Sequence, residues 1–413
     1  MKIFRILFLI IFVVTNSAAC KAETRADFGE LSKTVNTFSW NYFKHLDKDK
    51  NIFYSPYSIA AAFSIVANGA TGRTQKEILD ALSVKNVDTL NDGFKDFRAV
   101  MENEYGEGRI LKEADLILID KKFIGKGINS DFEDIVKNVY RSEIDTADFS
   151  GNLNGEKLRI KNWVAENTDN LISDFESSVA ENSIFDLLNV IYFKGDWENK
   201  FDTSKTWKSD FTNNDGSKSK VQMMAQTFDK KISYYADGKF MGIVLPYKKL
   251  DNETVTAMYI ILPRNENKLN VAEIWNDEEI SYKENFLANL KAAPIFNGTV
   301  EVFIPKFELD IKNKLNDDLK KMGIRRAFTN SAEFSNIIKK TQLKISSAIH
   351  QAKVKVDEEG TEAAAVTEIT MVKTSAAGFS KTIYFRADRP FLFVIRDIKS
   401  EIDLFTGVVN TLK

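Results

Sequence analysis

The chain has 413 residues, 44% of them hydrophobic and 28% charged, with 31 Phe and only 6 Pro. That length can bury a large core. A formal net charge of -2 excludes the broad basic field that a nucleic-acid binder needs to neutralise phosphates.

The first residues, MKIFRILFLIIFVVTNSAACKAE, combine a basic start (Lys2, Arg5), an apolar run from Ile6 to Val14 and small residues at Ser17, Ala18 and Ala19. This is the pattern of an export signal over 1–19, with an apolar run too short to span a bilayer comfortably. Cleavage would fall before Cys20, the only cysteine, so no internal disulfide can form and stability must come from packing. The SAAC sequence resembles a bacterial lipobox, with Ser17 where that pattern prefers Leu. Two readings follow: lipidation of Cys20, which would tether the protein to an outer membrane or cell surface through residues 20–27, or an ordinary signal-peptidase site and a secreted or periplasmic chain. No second segment of membrane length follows.

Helical spacing of apolar residues runs from Phe28 to Leu46, and a second helix is marked by Ser55 and Pro56 at its start. TGRTQKEILDAL turns into a third. From ADLILID onward the texture is mixed. Residues 156–172 read as helix, while DLLNVIYFKGDW, FMGIVLPYK, AMYIILP, GTVEVFIPKFELD and KVKVDEE read as strands. Residues 315–328 read as a short amphipathic helix, and TIYFRADRPFLFVIRD and IDLFTGVVN as closing strands. Helices and strands without regular alternation predict an α+β fold with large mixed sheets.

Catalytic chemistry finds little to work with. The two histidines, His45 and His350, come with no G-x-S-x-G elbow, and there is no clustered metal spacing, Walker loop or dinucleotide glycine pattern. The 59 acidic residues single out no catalytic pair. These absences argue against an enzyme.

One segment is two-faced. In residues 361–372, Thr361, Ala363, Ala365, Thr367, Ile369 and Met371 form an uncharged alternating set, and Glu362, Ala364, Val366, Glu368, Thr370 and Val372 hold both acids. That is the period of a half-buried strand. Yet it opens with Gly360, carries three alanines with poor strand propensity and leads into KTSAAGFSK, which reads as exposed loop. The residues alone leave a plain edge strand and a conditional strand both open.

VKVDEEGTEAAAVTEI, followed by FRADRPFLFVIRD and TGVVN, resembles the reactive-loop hinge and closing strands of the serpins. NIFYSPYSIAAAFSIVANGATGRT, NVIYFKGDWENKF, VFIPKFELD and AIHQAKVKVDEEG resemble further serpin blocks in serpin order. The resemblance spans residues 28–413 and implies a single-domain serpin fold with a reactive-centre loop at about 358–382. It implies an irreversible suicide-substrate protease inhibitor: a loop is cut, and residues from about 360 to 372 insert as a new central strand before the acyl-enzyme can hydrolyse. No cofactor is implied, and a monomer is expected. The hinge of inhibitory members is matched at Glu358, Glu359, Gly360, Thr361, Glu362, Ala363, Ala364 and Ala365, without the interruptions common in non-inhibitory relatives that act as binding or carrier proteins, which are the alternative reading. Ser55, Ser58, Asn189 and His350 resemble the polar cluster that gates strand separation. Trp197 matches the tryptophan beneath the loop's entry point, and Lys306 is expected to pair with Glu358. Hinge length places the reactive bond at Thr374-Ser375 or, one residue earlier, at Lys373-Thr374. Lys373 suits the acidic pocket of trypsin-like proteases and Thr374 the small pocket of elastase- or subtilisin-like ones. Val372, after Met371, suits papain-like cysteine proteases. Target proteases are the expected partners, with a membrane only through a lipidated Cys20.

Overall fold

The computed structural model describes residues 27–104, 109–125, 127–249, 253–361 and 381–413. The expectations for Cys20 and the export signal, for Glu362 to Ala365, and for Met371, Val372, Lys373, Thr374 and Ser375 therefore lie outside the described residues.

The N-terminal part is helical: α1 (Gly29–Phe43), a short strand β1 (Ile52–Tyr54), α2 (Pro56–Gly69), α3 (Gly72–Ala81) and α4 (Val87–Glu104). In α1, Leu31, Val35, Phe38 and Tyr42 recur at helical spacing and are all buried. The α2 helix starts where Ser55 accepts the Ser58 amide proton at 3.1 Å and Pro56 supplies a preset backbone angle. Every residue of α2 is buried, so it is a core helix rather than an amphipathic one.

The mixed region begins with β2 (Arg109–Asp120), α5 (Ser130–Asp134), β3 (Glu143–Ala147), α6 (Leu153–Asn167) and β4 (Phe185–Asp196). It continues through β5 (Trp207–Thr212), β6 (Lys218–Asp229), β7 (Ser233–Ala236), β8 (Phe240–Pro246), β9 (Thr256–Pro263), α7 (Val271–Asn276) and α8 (Ile280–Ala292). The remainder comprises β10 (Thr299–Pro305), β11 (Phe307–Lys314), α9 (Asn316–Lys321), β12 (Ile345–Val356), β13 (Gly360–Thr361), β14 (Thr382–Arg386), β15 (Phe391–Asp397) and β16 (Asp403–Val409).

Several boundaries differ from the sequence reading. Helix α6 stops at Asn167 rather than running to 172, because Asp169 and Asn170 turn into the left-handed region. The helix expected over 315–328 ends at Lys321, where Gly323 adopts φ +105°. GTVEVFIPKFELD is two strands in different sheets, divided at Lys306, and β12 is much longer than KVKVDEE suggested.

Three sheets result. The main sheet has the order β11-β12-β13-β4-β2-β3, the second β1-β16-β15-β9-β8-β7 and the third β14-β10-β6-β5. Strands β9, β15 and β16 are buried along their whole length, which is why they read as continuous apolar runs rather than alternating ones. A large core lies among the main sheet, the second sheet and α1–α3, while a smaller one lies under α6, where Ile160 and Val164 meet Leu188, Val190 and Ile349. Among the described residues no helix is long and apolar enough to cross a membrane.

Candidate functional site: the seam of the main sheet

Strands β4 and β12 run parallel and pair directly from Ile345↔Phe185 to Lys353↔Tyr192. Above that point they part, and β13 occupies the gap with Gly360 opposite Asp196, Thr361 opposite Gly195, and Thr361 also opposite Val356. The chain thus leaves the top of β12, reverses over three residues and begins to descend antiparallel between its neighbours.

The reversal is fixed on every side. The Trp197 amide donates to the Glu359 carbonyl and the Phe201 amide to the Glu358 carbonyl, both at 2.9 Å, while the Trp197 indole donates to the Asp357 carbonyl at 3.0 Å. Trp197 stacks on Tyr247 at 4.7 Å, and the Tyr247 hydroxyl meets that of Thr361 at 2.8 Å. Glu358 accepts from Lys306 at 2.6 Å and from Thr206 at 2.7 Å, and Glu359 pairs with Lys200. Burial pushes the Glu358 carboxyl up, but the bonds from Lys306 and Thr206 outweigh it and hold the group below the ordinary value. Gly360 passes so close to β4 that a Cβ there would lie 2.1 Å from the Gly195 carbonyl oxygen, so glycine is the residue the slot admits.

Midway down, the seam is pinned by a buried polar chain. His350 and Asn189 are register partners across β12 and β4. The Ser55 amide donates to His350 Nε2 at 3.0 Å, which leaves the ring proton on Nδ1, facing Asn189 Oδ1. Asn189 Nδ2 in turn donates to Ser58 Oγ at 2.5 Å and Asp115 Oδ1 at 2.6 Å. Burial alone drives the His350 pKa down to about 3, so the ring is neutral at physiological pH. The chain continues into Arg98, also buried, which pairs with Glu113 at 2.7 Å and lies 3.8 Å from Asp115. Burial and the Glu113 charge push the Asp115 carboxyl up, against Arg98, Asn189 and Ser142.

The structure therefore brings Ser55, Ser58, Asn189 and His350 into one network, and Trp197, Lys306 and Glu358 into another. The sequence reading missed Asp115 and Arg98 in the first, and Lys200, Thr206 and Tyr247 in the second. Nothing local marks these residues; Lys200 reaches its partner across 159 positions. Among the described residues, no group of His, Cys, Asp or Glu could hold a metal ion.

Comparison with known proteins accounts for this architecture. Residues 33–412 match the family described as Serpin (serine protease inhibitor). The chain is 33% identical to "Iris" of Ixodes ricinus over 92% of its own length and 99% of that protein, and 31% identical to Serpin B6 of Pongo abelii over 91% and 98%. Among solved structures it is similar to the native state of tengpin, a thermophilic serpin, with TM-score 0.81 at 27% identity over 93% of this chain and 94% of that one. It is similar also to human thyroxine-binding globulin, with TM-score 0.80 at 27% identity over 94% and 99%.

Proposed function

Because this chain belongs to the serpin family, whose members are at family level protease inhibitors and not catalysts, we propose that it is an irreversible, single-use inhibitor that works by completing the strand begun at β13. Residues 28–413 form the inhibitory body and about 358–382 the reactive-centre loop. A protease hydroxyl or thiol attacks the carbonyl of Lys373 or Thr374. The amine of Thr374 or Ser375 leaves with a proton, and the acyl-enzyme is carried off as the new strand inserts, before water can hydrolyse it. Strand addition of this kind, for which serpin loop insertion is a standing example, draws on main-chain hydrogen bonds and the release of stored strain.

The observation that carries this reading is the seat of Thr361, buried between β4 and β12 with its hydroxyl on Tyr247. If β13 continues in the same register, the uncharged set from Ala363 to Met371 faces the core, and the acid-bearing set faces the α6 side. Glu362 then falls between Lys194 and Lys355, and Thr367 between Asn189 and His350, where the two strands must separate. Small alanines at the leading end cost little steric work. The uninterrupted hinge supports inhibition over a carrier role.

Specificity rests on the loop: trypsin-like proteases at Lys373, elastase- or subtilisin-like ones at Thr374, and papain-like ones through Val372 and Met371. A lipidated Cys20 would hold this monomeric trap at a bacterial surface, and mass spectrometry of the mature N-terminus checks it, since an unmodified Cys20 or a later start excludes the anchor.

The test of function is to mix the protein separately with trypsin and an elastase, run denaturing gels and sequence the released peptide. Denaturant-resistant complexes with peptides beginning at Thr374 and Ser375 are expected. Cleavage with no complex would overturn inhibition in favour of the carrier role.

A further inference from the structure

The polar chain that pins the seam is anchored well outside it. Asn189 turns its amide nitrogen away from His350, donating to Ser58 Oγ at 2.5 Å and to Asp115 Oδ1 at 2.6 Å, so its oxygen is left for the His350 ring proton. An ionised carboxylate accepts and cannot donate. Asp115 in that state therefore settles which way the Asn189 amide points. Its other oxygen accepts from the Ser142 hydroxyl at 3.2 Å.

Behind Asp115, two acids share one base. Glu113 and Asp115 are two apart on β2 and so share a face; Arg98 of α4 pairs with the first at 2.7 Å and lies 3.8 Å from the second. Among the described residues neither acid makes another ion pair. Asp115 is 2% exposed and Arg98 8%. The other titratable groups against the cluster carry no charge: burial pushes the phenols of Tyr57 on α2 and of Tyr140 up and keeps His350 neutral.

The backbone is bent to complete this arrangement. Residues Ile135–Val139 form a π-helix, the Tyr140 amide reaches back to the Ile135 carbonyl at 3.3 Å, and Arg141 takes φ +51°. Such features are rare and gather at functional positions. Here they let Arg98 donate to the Tyr140 carbonyl and the Ser142 hydroxyl donate to Asp115.

Two buried carboxylates and one guanidinium leave one negative charge unbalanced. Without the guanidinium both acids would hold protons, and a protonated Asp115 can donate as well as accept, so it would no longer dictate the Asn189 amide. We propose that Arg98 is a positioning residue for the seam, holding Asp115 as a pure acceptor so that Asn189 must turn its oxygen to His350. The tie belongs to the intact sheet. Its bearing on trapping rests on the inhibitory reading, so its test uses the uncut chain.

The full chain is compared as wild type, Arg98→Met, Arg98→Lys and Glu113→Gln, by urea midpoints from pH 5 to pH 9 and by nitrogen-15 spectra of the two histidines, with His350→Gln identifying which signal is which. Removing the cation raises both carboxyls, and stability linked to a raised carboxyl is present at low pH and lost as pH climbs through the raised value. The midpoint deficit of Arg98→Met should therefore grow from pH 5 to pH 9, while that of Arg98→Lys stays flat. The His350 Nδ1 proton should exchange about tenfold faster in Arg98→Met, the difference between a charged and a neutral acceptor further along the chain, and at the wild-type rate in Arg98→Lys. A deficit equal at every pH would show that Arg98 only fills space, and an unchanged exchange rate would show that its charge does not reach His350; either overturns the proposal. If Arg98→Met does not fold, Glu113→Gln decides. It leaves one acid for one base, so its midpoint should fall less than that of the wild type between pH 7 and pH 9, with no faster His350 exchange; a fall as steep, or faster exchange, overturns the proposal. A wild-type chain that traps no protease overturns the inhibitory reading and leaves these measurements standing.

Discussion

The two ends of the β4–β12 seam are built from the same pair of strands and stand in opposite conditions. At the top, a third strand has entered: Thr361 is enclosed, Glu358 and Glu359 are paired with lysines, and the carbonyls from Asp357 to Glu359 have donors. At the bottom, the strands close directly on each other, with Asp186 and Ser347 buried as register partners on the α6 side. Between them the His350–Asn189 contact adds a buried side-chain tie to the backbone pairing of the two strands. The difference teaches that one pair of strands is open to a third at one end and sealed at the other: β13 sits between them at the top, and direct β4–β12 pairing closes the bottom.

The strongest way to break the comparison is to prevent the top from accepting a strand. Thr361→Arg would put a guanidinium into a site with no exposure, at a cost of several kcal/mol for an unpaired buried ion. The loop should still be cut, but without a denaturant-resistant complex and without a rise in melting temperature; a complex at wild-type stoichiometry would refute the role assigned to the slot.

Removing the pin comes next. His350→Ala strips partners from the Ser55 amide and Asn189 and should lower intact stability by about 2–4 kcal/mol, read from denaturant unfolding. The pin also has a pH signature. The folded pKa of about 3 lies below the unfolded value of 6.5, so the neutral ring's contribution is present above pH 6.5 and is lost as pH falls towards 3. The stability gap between wild type and His350→Gln should narrow by up to about 1.4 kcal/mol per pH unit below 6.5. A gap independent of pH would mean that the ring titrates normally.

The bottom behaves in the opposite sense. Asp186 has its pKa raised from 3.8 to about 7, so its contribution is present below 3.8 and is lost as pH rises through 7. Intact Asp186→Asn should melt above the wild type at pH 8, with the difference closing by pH 5; the same difference at both values would show that the carboxyl is not desolvated.

The smallest effect belongs to the ion pair at the top. The Lys306 side chain is 38% exposed, so Lys306→Met should cost about 1 kcal/mol or less. Glu358 is held below its ordinary 4.5, and the pair's contribution is therefore present above that value and lost as pH falls through the depressed one. Equal thermal shifts for Lys306→Met at pH 7 and pH 3 would count against the pair.

Much of this was legible in linear order. Ser55 and Pro56 announce α2, the run FLFVIRD announces a strand buried on both faces, and the alternation in 361–372 separates its charged and uncharged sides before any register is known. Spacing alone misplaced the ends of α6 and α9, because a left-handed turn at Asp169 or Gly323 outweighs a few residues of favourable periodicity. GTVEVFIPKFELD read as one strand because strand propensity says nothing about which sheet each half joins.

The sequence by itself determined the α+β class, the family resemblance, the candidate bonds at Lys373 and Thr374, and the identity of the His350 and Lys306 clusters, because these depend on residue type and order. Only the tertiary structure decided that Thr361 already sits between β4 and β12, that Asp115 and Arg98 extend the His350 network, and that Asp186 and Ser347 stand opposite each other. Such facts depend on register between strands more than a hundred residues apart, and no local preference encodes which residue stands opposite which.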